Sequence, residues 1–195
     1  QSSLFGQGCF SEGEAKITYG TGCFMLLNSG EKPILSEKGL LTTIGISTNN
    51  KINYALEGSV FAGGTVIKWL RDNMGVIKNA AESEYVARSI PDNGGVYIVP
   101  AFVGLGTPHW DSDARGTIMG LTFGNDTRHI VRAGLEAIAY QCYDVISVME
   151  KEMGKEVIAL KVDGGAALND FLMEFQSAIL NKKIYRPVVY ESTAY

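Results

Sequence analysis

The sequence is short of the residues that build the simplest reactive sites. Three of its 195 residues are Cys and two are His. Cys9, Cys23 and Cys142 are odd in number and form no CxxC pair, and neither His109 nor His129 lies within ligand spacing of them. These absences exclude a disulfide framework and a zinc site. No stretch approaches the roughly 18 consecutive apolar residues of a membrane span. Residues 1–6 carry neither the basic stretch nor the apolar core of a secretory signal, so a reducing cytoplasm is the expected compartment. Positive charge is scarce as well: 17 Lys and Arg stand against 21 Asp and Glu, a net charge of −4. Spread without long runs, that balance excludes a basic nucleic-acid footprint. Neither a Walker A loop nor a GxGxxG run occurs, which removes P-loop and Rossmann binding. The first residue is Gln rather than Met, so a piece of a longer chain is expected.

What remains is enough to build a core. Hydrophobic residues make up 46% of the chain and the mean hydropathy is +0.05, typical of a packed domain. The 23 glycines fall in short bursts at the ends of apolar segments, where turns need them. Residues 15–28 read as two strands broken at Gly20-Thr21-Gly22, and residues 40–47 and 52–56 as two more. Thr48-Asn49-Asn50-Lys51 is a hairpin turn between the latter pair. Three- and four-residue spacing of Val60, Phe61, Gly64, Ile67, Leu70 and Met74 predicts a helix over 58–74. Gly63 and Gly64 inside it would cost roughly 1 kcal/mol each relative to Ala, which implies close packing or a ligand against that face. Residues 80–89 read as a short helix, 96–99 as a strand and 101–126 as irregular.

A long helix starts near Thr127, capped by Asn125, Asp126 or Thr127. Its apolar stripe is Val131, Leu135, Ile138, Cys142, Val145 and Met149, and Gly154 is its stop. A strand at 157–162, a helix at 169–180 and a strand at 183–188 follow. The order is that of a single α/β domain with an antiparallel section first and βαβ units later.

Two glycine turns are the strongest candidates for chemistry. Thr18-Tyr19-Gly20-Thr21-Gly22 is either an ordinary hairpin turn or a loop whose backbone N–H groups approach an anion. Lys161-Val162-Asp163-Gly164-Gly165 is either a tight strand-to-helix turn or a junction that sets a helix N-terminus beside a ligand at the strand's end. His109 and Asp111 lie in one loop, but no Ser or Cys nucleophile is placed to join them.

Taken together these segments resemble the glycerol-kinase branch of the FGGY sugar-kinase family, over essentially the whole chain. The resemblance is carried by TYGTGCFMLLNSGE (18–31), NYALEGSVFAGGTVIKWLR (53–71), GGVYIVPAFVGLGTPHWDSDARG (94–116), VDGGAALN (162–169) and FLMEFQS (171–177). It implies an actin-like ATPase (ribonuclease H-like) α/β fold, a mixed sheet with helices on both faces, and a C-terminal nucleotide-binding domain over 1–195. It also implies ATP-dependent phosphorylation of glycerol to glycerol 3-phosphate with Mg²⁺, and a homo-oligomeric full-length protein with no nucleic-acid or membrane partner. By resemblance Thr21 and Gly22 face the ATP phosphates, Gly64 packs close to the nucleotide, and Gly165 and Asn169 hold the adenosine end. Lys68 stands in the ATP site where the family has Gln, and Phe24 packs on the carbon backbone of glycerol. The family's catalytic Asp belongs to an Asp-Gln-Gln run two residues before Gln1. The 195 residues alone are therefore expected not to turn over. A non-catalytic actin-like module and a kinase of another polyol or sugar remain the alternatives.

Overall fold

The computed structural model describes residues 1–48 and 51–188. Six strands form one mixed sheet. Strand β1 (Glu14–Tyr19) pairs antiparallel with β2 (Cys23–Gly30), and β2 with β4 (Lys51–Val60). The latter also pairs with edge strand β3 (Leu41–Thr48). On its other side β1 runs parallel to β7 (Ala159–Asp163), which is followed by β8 (Ile184–Tyr185), giving the order β3-β4-β2-β1-β7-β8. A separate ribbon pairs β5 (Tyr97–Val99) with β6 (Thr117–Met119).

Both faces of the sheet are covered, so alternation along β2 sorts its side chains between two cores. Cys23, Met25 and Leu27 enter the main core, beneath α2 (Gly64–Asp72), α4 (Thr127–Met153) and α5 (Asp170–Leu180). Leu26 faces the other way, with Ala55 and Ile46, under Leu4 of the short helix α1 (Ser2–Gly6). A fifth helix, α3 (Glu82–Arg88), packs on α4 and α5. The predicted stripe on α4 is buried throughout. All three cysteines are free and buried. Burial pushes the Cys9 thiol up to about 11, far from the range of a reactive thiolate.

Two expectations need correction. Residues 58–60 belong to β4, and the helix begins only at Gly64. Gly58 and Val60 continue the pairing with Met25 and Cys23, and a Cβ on Gly58 would lie 2.4 Å from Val145 of α4. The glycine there lets helix and sheet approach, and the apolar spacing at Val60 only mimics a helical period. The stretch 101–126 is not wholly irregular, since it contributes β6. Of the turn expected at 48–51, Asn49 and Asn50 lie outside the described residues, although Thr48 and Lys51 pair across it.

Helix α4 begins with a reciprocal cap. The Asp126 carboxylate accepts from Arg128 N at 2.9 Å, and Asp126 N donates to the His129 ring at 3.0 Å. It ends at Gly154 in the left-handed region, with φ +67°. The Arg128 guanidinium, then the helix N–H and the His129 ring, hold the Asp126 carboxyl well below the usual carboxylate range. A lowered carboxyl stabilises the fold above its unfolded pKa of ~3.9, and that contribution is lost as pH falls through the folded value. Asp126→Asn keeps a cap and removes the charge. Its stability deficit against the wild type is expected at neutral pH and should shrink below about pH 3. Urea unfolding across that range measures this; a deficit independent of pH would contradict it.

Candidate functional site

Strands β1 and β7 lie side by side with Thr18 level with Asp163, so the chain leaves both at the same end of the sheet. Beyond β1 it makes the Gly20-Thr21-Gly22 turn. Beyond β7 it turns at Gly164 into a short 3₁₀ helix, Gly165–Leu168. Gly164 has φ +88°, and a Cβ there would lie 2.6 Å from the Tyr19 carbonyl oxygen, so only glycine fits. At Gly165 a Cβ would meet nothing within 4 Å. The first glycine of the pair is demanded by the fold, whereas the second stands over open space.

That space is a cleft of about 310 Å³. Its walls are the Gly20-Thr21 turn, one face of α2 and the Gly165-Ala166 backbone, with Ala80 beside them. On α2 the spacing places Gly64, Ile67, Lys68 and Arg71 on that single face. Two cations therefore stand on one rim. Arg71 is held by Asp72 through contacts of 2.5 and 2.9 Å, while Lys68 is exposed.

Beside the turn the glycines serve packing. Gly63 N donates to Thr21 O, Gly64 N to Gly20 O, and both Thr65 N and its hydroxyl to Thr21 O, at 2.8–3.2 Å. A Cβ on Gly22 would lie 2.4 Å from Val60 O, one on Gly63 2.7 Å from the Gly22 carbonyl carbon, and one on Gly64 2.8 Å from Gly20 O. The N-terminus of α2 is thus capped by the carbonyls of the turn, and these N–H groups are not presented to an anion. The glycines also sit at the start of the helix and not in its interior, which answers the helix cost expected of them.

Thr21, Gly64, Lys68 and Gly165 are therefore brought together on one cleft. Gly22 is packed beneath the turn. Asn169 lies behind the wall, 9% exposed. Its side chain caps α5 by accepting from Leu172 N at 2.9 Å, and donates to Ser83 of α3 at 3.1 Å. Phe24 is not part of this lining; it stands on the α1 side of the sheet, 46% exposed. On that side Lys16 is buried, donates to the Thr18 hydroxyl at 2.8 Å, and has its ammonium pulled down by burial against the opposing pull of Asp163. Ile67, Arg71, Ala80 and Ala166 also line the cleft without having been singled out. Only the helical spacing from Gly64 could have pointed to Ile67 and Arg71, and it gives no sign of Ala80. Asp111 accepts from Asp113 N and Ala114 N, closing its own loop.

Residues 15–195 match the FGGY family of carbohydrate kinases, C-terminal domain. A glycerol kinase of Petrotoga mobilis is 59% identical over 194 residues, covering the whole of this chain but 39% of its own length. A crystal structure of Plasmodium falciparum glycerol kinase with ADP superposes with a TM-score of 0.93 at 43% identity, over 99% of this chain and 38% of that one. The chain thus spans about two fifths of these relatives. A xylulose kinase from Lactobacillus acidophilus, at 24% identity and TM-score 0.87 over 98% of this chain and 38% of its own, shares the fold, which is that of the actin-like ATPases. The chain belongs to the FGGY family of carbohydrate kinases, in the part that forms their C-terminal domain.

Proposed function

We propose that these residues are the nucleotide-holding domain of an ATP-dependent glycerol kinase, which transfers a phosphoryl group to glycerol to give glycerol 3-phosphate. The observation that carries this reading is the open position at Gly165 facing the cationic rim of α2 across one cleft. The first glycine of the turn is explained by the fold, and the second is explained by a ligand that lies against the backbone. Support also comes from the 59% identity to a protein named glycerol kinase and from the ADP named in the Plasmodium falciparum structure.

In this reading the backbone at Gly165 receives the adenosine end and Asn169 fixes that wall by tying α5 to α3. Gly64, packed on the Gly20 carbonyl, brings the start of α2 close to the nucleotide, and Thr21, above the Gly22 packing point, presents its hydroxyl towards the phosphates. Lys68 supplies positive charge along the way. Phe24 offers an apolar ring to the carbon backbone of glycerol. ATP would be the phosphoryl donor, and Mg²⁺ would supply counter-charge to its phosphates; among the described residues no three His, Cys, Asp or Glu side chains gather to hold a metal. Phosphoryl transfer depends on positioning and charge stabilisation, and these residues contribute one side of both. The other side, including the carboxylate that takes the hydroxyl proton, falls in the part of the relatives that precedes this chain. Closure of the two domains excludes water. A cytoplasmic, homo-oligomeric full-length protein accompanies this reading.

The test is calorimetric titration of the 195-residue chain with Mg-ATP and Mg-ADP, with and without glycerol. Weak binding, indifferent to glycerol and lost on Thr21→Tyr, is expected. A folded chain that binds neither nucleotide would remove the assignment of this cleft. Glycerol 3-phosphate made by the 195 residues alone would overturn the placing of the catalytic carboxylate outside them.

A further inference from the structure

A second cavity, of about 240 Å³, lies between α4 and the chain running from β5 to His109. It shares no lining residue with the cleft. Its inner walls are apolar: Val60, Ile98 and Ala137 are each less than 8% exposed, and Leu105 closes one side. Where it opens to solvent stand two exposed ionisable side chains, His109 and Asp144. Partial desolvation at the cavity mouth pushes the Asp144 carboxyl above its ordinary pKa. Its electrostatic neighbours, His109 and Lys151, act on it without a hydrogen bond. No Lys or Arg among the described residues forms an ion pair with it.

A carboxylate at the mouth of an apolar cavity, with no ion-paired Lys or Arg among the described residues, offers a seat to a cation whose body fills the cavity. A metal ion is a poor candidate, because among the described residues no group of three ligating side chains exists. The apolar walls select for a hydrocarbon body, and an apolar cavity of about 150 Å³ holds a benzene ring. The volume here accommodates a ring with one short polar arm, and Tyr140 lines the same wall.

We infer that this cavity is a small-molecule site, distinct from the nucleotide cleft, which takes a compact apolar molecule carrying one ammonium group, with the ammonium seated on Asp144 and the hydrocarbon between Val60, Ile98 and Ala137. The assignment is independent of what the nucleotide cleft binds.

The experiment titrates the chain with benzylamine at neutral pH and follows methyl resonances by NMR, with benzyl alcohol as the uncharged control. Saturable shifts are expected at Val60, Ile98 and Ala137. Affinity should fall at least about tenfold for Asp144→Asn, and by a similar factor when the alcohol replaces the amine. Ala137→Phe should fill the cavity and abolish the shifts. Should that variant fail to fold, Asp144→Asn, at an exposed position, still decides the matter. Absence of saturable shifts at these three residues overturns the inference, as does equal binding of the alcohol or undiminished binding to Asp144→Asn.

Discussion

Replacing Gly165 with valine is expected to weaken nucleotide binding at least thirtyfold, about 2 kcal/mol, while leaving the chain folded and as stable as before. A side chain at this position projects into space that holds no protein atom within 4 Å, so the fold has no reason to reject it. Added side chains at compatible glycines stabilise by about 0.4–1 kcal/mol through the unfolded chain. The neighbouring glycine supplies the contrast. Gly164→Ala forces a Cβ to within 2.6 Å of the Tyr19 carbonyl oxygen at φ +88°, and Tyr19 cannot yield easily. It is fully buried, and its hydroxyl donates to Gln176 of α5 at 3.0 Å. Backbone strain and displacement together should cost about 3 kcal/mol. Urea unfolding and calorimetric titration with ADP separate the two effects. A Gly165→Val chain that still binds ADP within about threefold of the wild type would show that the nucleotide does not lie against this backbone. One that unfolds would show that the fold itself needs the glycine.

Much of this arrangement is legible in the sequence, for reasons that differ from segment to segment. The stripe from Val131 to Met149 is visible because a long helix lying across a sheet repeats its apolar contacts at three and four. The strand pair around Gly20-Thr21-Gly22 is visible because turn chemistry is local. At residues 58–60 the local pattern fails. Val60 and Gly64 share a helical spacing, but Gly58 and Val60 are fixed by pairing with β2 and by the approach of Val145, neither of which is near in sequence. The cleft is half legible. Gly64, Lys68 and Gly165 follow from motif and resemblance. Whether a glycine serves packing or a ligand is a question of what lies in space beyond its Cα. Gly164 and Gly165 are adjacent and chemically identical, and only the Tyr19 carbonyl tells them apart. Asn169 teaches the same lesson: its amide is engaged with Ser83 and the Leu172 N–H, so part of its function is to hold the wall.

The largest loss of stability is expected from Arg132→Leu, a residue that no motif marks. Arg132 and Glu136 sit one turn apart on α4 with side chains only 15% and 5% exposed, joined at 2.8 Å. The guanidinium also donates to the carbonyls of Ala87 and Ile90 at 3.3 and 2.6 Å. It lies over the Phe171 ring of α5, 5.1 Å from its centroid. On the other side, Asn93 donates to the second Glu136 oxygen at 2.8 Å. One side chain thus fastens the end of α3 and the loop after it to two other helices. Removing it leaves the Glu136 carboxylate buried without its cation and two carbonyls without their donor. Loss of one partner of a buried pair costs about 3–5 kcal/mol, a large share of the ~5–15 kcal/mol that holds a domain of this kind together. The double variant Arg132→Leu with Glu136→Leu removes the stranded charge and should recover part of that loss, though not all, because Asn93 and the two carbonyls stay unpaired. The damage should also reach the cleft, since α3 carries Ser83, the partner of Asn169, and follows directly on Ala80. Nucleotide affinity should therefore fall in the single variant even under conditions where it remains folded. A cost below about 1 kcal/mol would place the pair with solvent-screened surface ion pairs, and α3 would then owe its position to packing alone.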